Sequence, residues 1–138
     1  MILNKGMISS IVGILGSMAA YLFGGWSLMM QTLLLVMIAD YFTGIINAAV
    51  FKKSTKTKSG ALSSKAGLKG LCKKVAIFIL IIISYRIDLV LNLDSVLFDA
   101  VVIGFIANET ISILENVSAM GVPIPRQLAE VLDSMKGD

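Results

Sequence analysis

The chain contains no histidine and a single cysteine, Cys72. These two shortages exclude a good deal of chemistry: a disulfide within the chain, a Cys/His zinc site and Ser-His-Asp catalysis all need residues that are not there. Cys72 lies among lysines, and a lone thiol in a basic stretch reads as a spare side chain. Charge is scarce as well. Only 15% of the 138 residues are charged and 57% are hydrophobic, with a mean hydropathy of +0.88. A soluble domain carries roughly 25% charge, so lipid is the expected solvent. The length suits one domain, 1–138. No catalytic residue, metal or cofactor is expected.

Long apolar runs fill the space left by charge. A bilayer core takes about 20 mostly apolar residues of helix, and four stretches approach that, at about 7–23, 27–51, 75–93 and 95–117. Lys5, the run Met7–Phe23 and the small residues of "SMAA" have the outline of a secretory leader, yet a retained helix is the expectation. This Gly- and Ser-rich run is the weakest span. Were it to lie along the interface, three spans would remain and the N-terminus would be outside. Turn residues at Gly24–Gly25 and near Asn92–Asp94 make two helical hairpins.

The hairpins are joined by a link, 52–74, holding Lys52, Lys53, Lys56, Lys58, Lys65, Lys69, Lys73 and Lys74 and no acid. Positive residues beside spans stay in the cytoplasm. The expected fold is therefore an all-α, multi-pass membrane protein of two transmembrane hairpins, with a cytoplasmic basic link and both termini cytoplasmic. Nucleic acid could attract the lysines, but no aromatics are interleaved to stack bases. Anionic lipid headgroups are the better partner. In the cytoplasmic segment 118–138, Pro123 and Pro125 break the last span. Arg126–Met135 then reads as a short amphipathic surface helix, with Leu128, Val131, Leu132 and Met135 at spacings of three or four.

Several polar residues fall inside these runs. Helical spacing puts Asp40, Thr43, Gly44 and Asn47 on one face, and Asn108, Ser112 and Glu115 on another with Glu109 at its edge. A charge at the bilayer centre costs at least about 2.5–3.5 kcal/mol, so these faces must turn inward, pair, or meet water. Polar groups also act as glue between helices, at about 0.6 kcal/mol each. For Asp40 and Glu109 a functional role is favoured, because a neutral side chain would be cheaper glue. Counting depth from the span ends places Asp40, Arg86 and Glu109 in one layer, so Arg86 is expected to neutralise Asp40 or Glu109, within or between chains, with Asp88 as a competing partner. On the first helix Gly13, Gly16, Ala20 and Gly24 form a stripe that lets helices approach closely, within the hairpin or between subunits.

The order of these features resembles the phage lysis and toxin-secretion holin family. The resemblance runs from about Val36 to Leu128. It rests on "DYFTG" (Asp40, Gly44), on "SSKAGLKGLCKK" (Ser63, Ser64, Gly67, Gly70, Leu71), and on "NETISILENVSAMGVPIPRQL" (Gly121, Pro123, Pro125). It implies a homo-oligomeric protein of the bacterial inner membrane. Such proteins open large lesions at a set time and so release a cell-wall hydrolase (an endolysin) or a toxin, without needing to touch it. Two other functions remain in competition. A small ion or proton-coupled transporter would use Asp40 and Glu109 as relays, but would pass only small solutes, and the chain shows no evident inverted repeat. A membrane-anchored scaffold would bind a cytoplasmic partner through the lysine link and the terminal helix and would leave the membrane potential intact.

Overall fold

The computed structural model describes residues 4–136, apart from the side chains of Leu132, Met135 and Lys136. Its helices are α1 (Lys5–Phe23), α2 (Leu28–Ile46), α3 (Ser64–Leu91), α4 (Val96–Ala119) and α5 (Arg126–Lys136). No strand occurs among the described residues. The first three helices begin where a short polar side chain accepts one of the orphan N–H groups of the first turn: Asn4 from Gly6, Ser27 from Met30 and Ser63 from Ala66. α4 starts differently. Ser95 is left-handed (φ 66°) and makes no such bond. Asp88 of α3 substitutes for it, accepting from the N–H groups of Leu97 at 3.1 Å and Phe98 at 2.6 Å. A carboxylate there also faces the positive end of the α4 dipole.

The helix ends are shaped by two glycines. Gly24 closes α1 at φ 74°, and a Cβ there would come within 2.7 Å of the Tyr85 ring. α2 widens from Asn47 to Phe51 into a π-helical turn that Lys52 closes at φ 52°. The chain then folds back, and Gly60 (φ 73°) accepts from the N–H of Ser54 at 3.0 Å. A side chain at Gly60 would collide with the carbonyl of Lys52.

α2, α3 and α4 pack together, α3 and α4 side by side across the turn at 92–95. Their apolar core is Met30, Leu33 and Met37 from α2, Ile81 from α3, and Phe98 and Val102 from α4. The three α2 residues follow the spacing of three and four that makes one helical stripe. α1 stands apart. It has no buried residue, and its main neighbour is α3 rather than α2. Phe23 packs edge-on against Phe78, with ring centroids 6.1 Å apart. The expected packed pair of α1 with α2 is thus replaced by α1 against α3, because the turn at Gly24 seats itself on Tyr85. Of the small-residue stripe, Gly13 and Gly16 face open space, Ala20 is exposed, and Gly24 alone makes a close approach.

The lysine-rich link also differs from expectation. Only residues 52–63 form a loop, because Ser63 caps α3 and the helix already includes Lys65, Lys69, Lys73 and Lys74. Among the described residues, three helices are long and apolar enough to cross a membrane: Lys5–Phe23, Leu28–Phe51 and Val96–Ala119. α3 has the length, at 28 residues, but Lys74, Arg86 and Asp88 interrupt its apolar run. Of the apolar face expected on α5, Leu128 and Val131 are exposed; the side chains of Leu132 and Met135 lie outside the described residues.

Candidate functional site

The stripe that buries Met30, Leu33 and Met37 reaches Asp40 one helical step later, which is why this carboxylate is only 4% exposed. On α4 the stripe of Phe98 and Val102 likewise continues to Glu109, 5% exposed. Tyr85 and Phe98 mark a common level on α3 and α4, their ring centroids 5.9 Å apart. Lys74 and Glu109 each lie about 16 Å further along their helices, at 1.5 Å per residue, and so meet. The Lys74 ammonium donates to Asp40 Oδ2 at 2.8 Å and to Glu109 Oε2 at 2.6 Å. One lysine therefore joins three helices. Its two charge-assisted hydrogen bonds compensate for the burial of its charge.

Asn116 completes the layer. Its Nδ2 donates to Asp40 Oδ1 at 3.2 Å, to the Asp40 carbonyl at 3.3 Å and to Thr43 Oγ1 at 3.0 Å. Thr43 in turn donates to the carbonyl of Ala39 at 2.8 Å. The two carboxylates outnumber the one ammonium between them, and Lys56 reaches toward them: its Nζ would lie 3.7 Å from a Cβ at Gly44. Removing two charges from water carries several kcal/mol of desolvation per ion, recovered only when every partner is in place. The cluster is thus an all-or-nothing fastener. No group of three or more His, Cys, Asp or Glu side chains that could hold a metal occurs among the described residues.

The structure brings some of the expected site residues together and separates others. Arg86 is not in the layer. Its guanidinium stacks over the Tyr21 ring, 4.3 Å from the centroid, and Lys74 takes the place assigned to it. The depth count started α3 at Val75, whereas the helix starts at Ser64, so the level of Asp40 falls on Lys74. Asp88 is bound to the α4 N-terminus, not to Arg86. Asn108, exposed, and Ser112, half-buried, line one cavity with Asp40, Gly44 and Glu109, whereas Glu115 is exposed and does not line it. Asn47 is 2% exposed and donates to the Lys53 carbonyl at 3.2 Å, closing the end of α2.

Two members of the layer escaped the sequence reading. Asn116 was overlooked because the polar face was ended at Glu115, although Glu109, Ser112 and Asn116 keep the spacing of three and four. Lys74 was counted with the link. The motif residues have structural places: Ser63 caps α3, Ser64 opens it, Gly67 faces the Tyr41 hydroxyl, Gly70 leaves open space, and Leu71 is exposed. Gly121 (φ 87°) ends α4 ahead of Pro123 and Pro125. A half-open cavity of about 400 Å³ borders the layer, lined by Asp40, Lys74 and Glu109 together with Lys56, Lys69 and Lys73.

No solved structure matches the chain. An uncharacterised protein of Listeria innocua is 39% identical, covering 92% of this chain and 89% of its own length. One from Halalkalibacterium halodurans is 35% identical over 91% of this chain and 90% of its own. A protein of Bacillus phage phi105 named a probable holin is 34% identical over 86% of this chain and 82% of its own. The model of the bacteriophage holin family matches residues 17–137, and with most of its length matched the chain belongs to that family.

Proposed function

We propose that this protein is a holin that collects in the bacterial inner membrane as a homo-oligomer and opens lesions large enough to release a cell-wall hydrolase or a toxin. Beyond the family, one observation carries the reading: a buried polar layer, Asp40–Lys74–Glu109 with Asn116, lies within helices whose outer faces are apolar. Such helices are stable in lipid while the polar layer is closed on itself. In an assembly that separates the helices, the same groups turn to water, which solvates them as well as their partners did. The exchange leaves the two states close in free energy. Timing then becomes sensitive to single substitutions in the layer.

The proposed topology has four spans. α4 is long and apolar enough to cross, and α3 runs beside it for the same distance, so it crosses with it. Val75–Leu91 reaches about 25 Å at 1.5 Å per residue. Arg86 and Asp88 sit near its far end, where a long side chain reaches the interface and a carboxylate is bound. The lysines of the loop 52–63 and of the first turns of α3 then lie on the cytoplasmic side, with both termini, and Lys74 lies deeper, in the ion layer. The apolar layer of Leu33, Met37, Ile81 and Val102 lies between the ion cluster and the far end of the bundle. That favours lesions made by assembly over transport through one subunit.

The test is inducible expression with and without a cytoplasmic cell-wall hydrolase, following turbidity and membrane potential. The potential should collapse in both cultures and turbidity should fall sharply only with the hydrolase present. Asp40→Asn, expressed to the same level, should shift the time of collapse by minutes or more. An intact potential would point to a scaffold, and leakage limited to small solutes would point to a transporter. Either result overturns the proposal.

A further inference from the structure

The half-open cavity beside the ion layer has a use that closing the layer does not require. On α3, Ala66, Gly67, Gly70, Lys73 and Lys74 share the face that lines it. A Cβ at Gly70 would have nothing within 4 Å, so the small residues leave a space and the lysines frame it. Lys56 comes from the loop 52–63 and Lys69 from α3. With Lys73 and Lys74 these supply four ammonium groups against the two carboxylates of Asp40 and Glu109. The cavity is therefore basic despite the acids in it. The hydroxyl residues Ser54, Thr57 and Ser63 line it as well, and Leu62, Ile45 and Ile77 add apolar wall.

We infer that this cavity binds the phosphate headgroup of an anionic phospholipid of the cytoplasmic leaflet. The inference rests on the proposed topology, which places the loop 52–63 and the first turns of α3 at that surface. Phosphate suits ammonium groups and hydroxyls together. The apolar wall suits the start of an acyl chain, which a free phosphate ion lacks. Anionic lipid is also the counter-ion most concentrated at that surface. The bound headgroup would neutralise the lysines that the ion layer leaves unmatched, and so favour the closed bundle.

The full chain would be purified in detergent, exchanged into phosphatidylglycerol or phosphatidylcholine, and lipid retained per chain read by native mass spectrometry. Phosphatidylglycerol should be held at least about tenfold more strongly than phosphatidylcholine. Lys69→Gln with Lys73→Gln should remove most of that preference. The control, Lys58→Gln with Lys65→Gln, loses the same charge at positions that do not line the cavity and should change retention less than about twofold. Equal losses in the two double variants would overturn the site in favour of diffuse attraction to the basic surface. Displacement of the lipid by millimolar inorganic phosphate would overturn the lipid as its ligand. A lack of preference for the anionic lipid would overturn both. Retention of lipid does not depend on lesion formation, so a chain that binds the headgroup but fails to collapse the membrane potential would sink the holin reading and spare this one.

Discussion

On α2, Met30, Leu33 and Met37 meet α3 and α4 through hydrocarbon and two thioethers, while Asp40, on the same stripe, meets them through charge. The seam between the three helices thus has an apolar half and a polar half, built by one periodicity and held by different forces. The apolar half is tolerant. In lipid, its packing rests on dispersion contacts that a similar shape replaces. The polar half is not. Lys74, Asp40, Glu109 and Asn116 satisfy one another at 2.6–3.3 Å, and loss of one member strands the others. An element that must hold firmly and then release is better made from the second kind of contact, because water can replace ion pairs but cannot replace packed hydrocarbon.

The largest effect should come from Lys74→Met. It leaves two carboxylates buried and unmatched, a change of about 3–5 kcal/mol for a broken buried pair. The midpoint of thermal unfolding in lipid nanodiscs should fall by more than for any single change in the apolar half. Lys65→Met, on the same helix but outside the layer and the cavity, should leave it nearly unmoved. Adding Asp40→Asn and Glu109→Gln to Lys74→Met should recover most of the loss, because neutral side chains tolerate lipid far better than charges. A Lys74→Met protein that melts like the parent would show that the polar half contributes nothing to holding the helices.

Next in size is Leu33→Ala, which opens a space in the apolar half and should destabilise by about 2–3 kcal/mol. It sharpens the comparison through the double variant with Lys74→Met. Leu33 lies about 10 Å along α2 from Asp40 at 1.5 Å per residue, so the two losses should add within about 0.5 kcal/mol. Strong coupling between them would mean that the seam is one unit and that its polar part cannot open by itself.

Much of this division was legible in the residue order. Asp40 and Glu109 stood out because so few charges occur in the apolar runs, and helical spacing put Asp40 and Thr43 on one face. Depth was not legible. It depends on where α3 begins, and the lysines of "SSKAGLKGLCKK" read equally as loop or as helix; the Ser63 cap decides for helix. The position of α1 was hidden for a related reason. A Gly24–Gly25 turn allows many directions, and contact with Tyr85, more than sixty residues away, selects one.

The smallest effect is expected at Arg86, and it separates the two basic residues that sequence depth confused. Arg86 lies over Tyr21, an exposed ring at the end of α1, 4.3 Å from its centroid. A cation–π contact at an exposed site is worth about 0.5–1 kcal/mol. Arg86→Gln should therefore move the unfolding midpoint only slightly, and Tyr21→Leu should do the same. The double variant should lose no more than either alone, since both remove one contact. The local effect should be plainer than the global one. Trp26, the only tryptophan, packs on Phe23 with ring centroids 6.2 Å apart, so loosening the end of α1 should shift its emission while the bundle stays folded. If Arg86→Gln proved as damaging as Lys74→Met, Arg86 would belong to the polar half after all, as it could by reaching the acids of a neighbouring subunit.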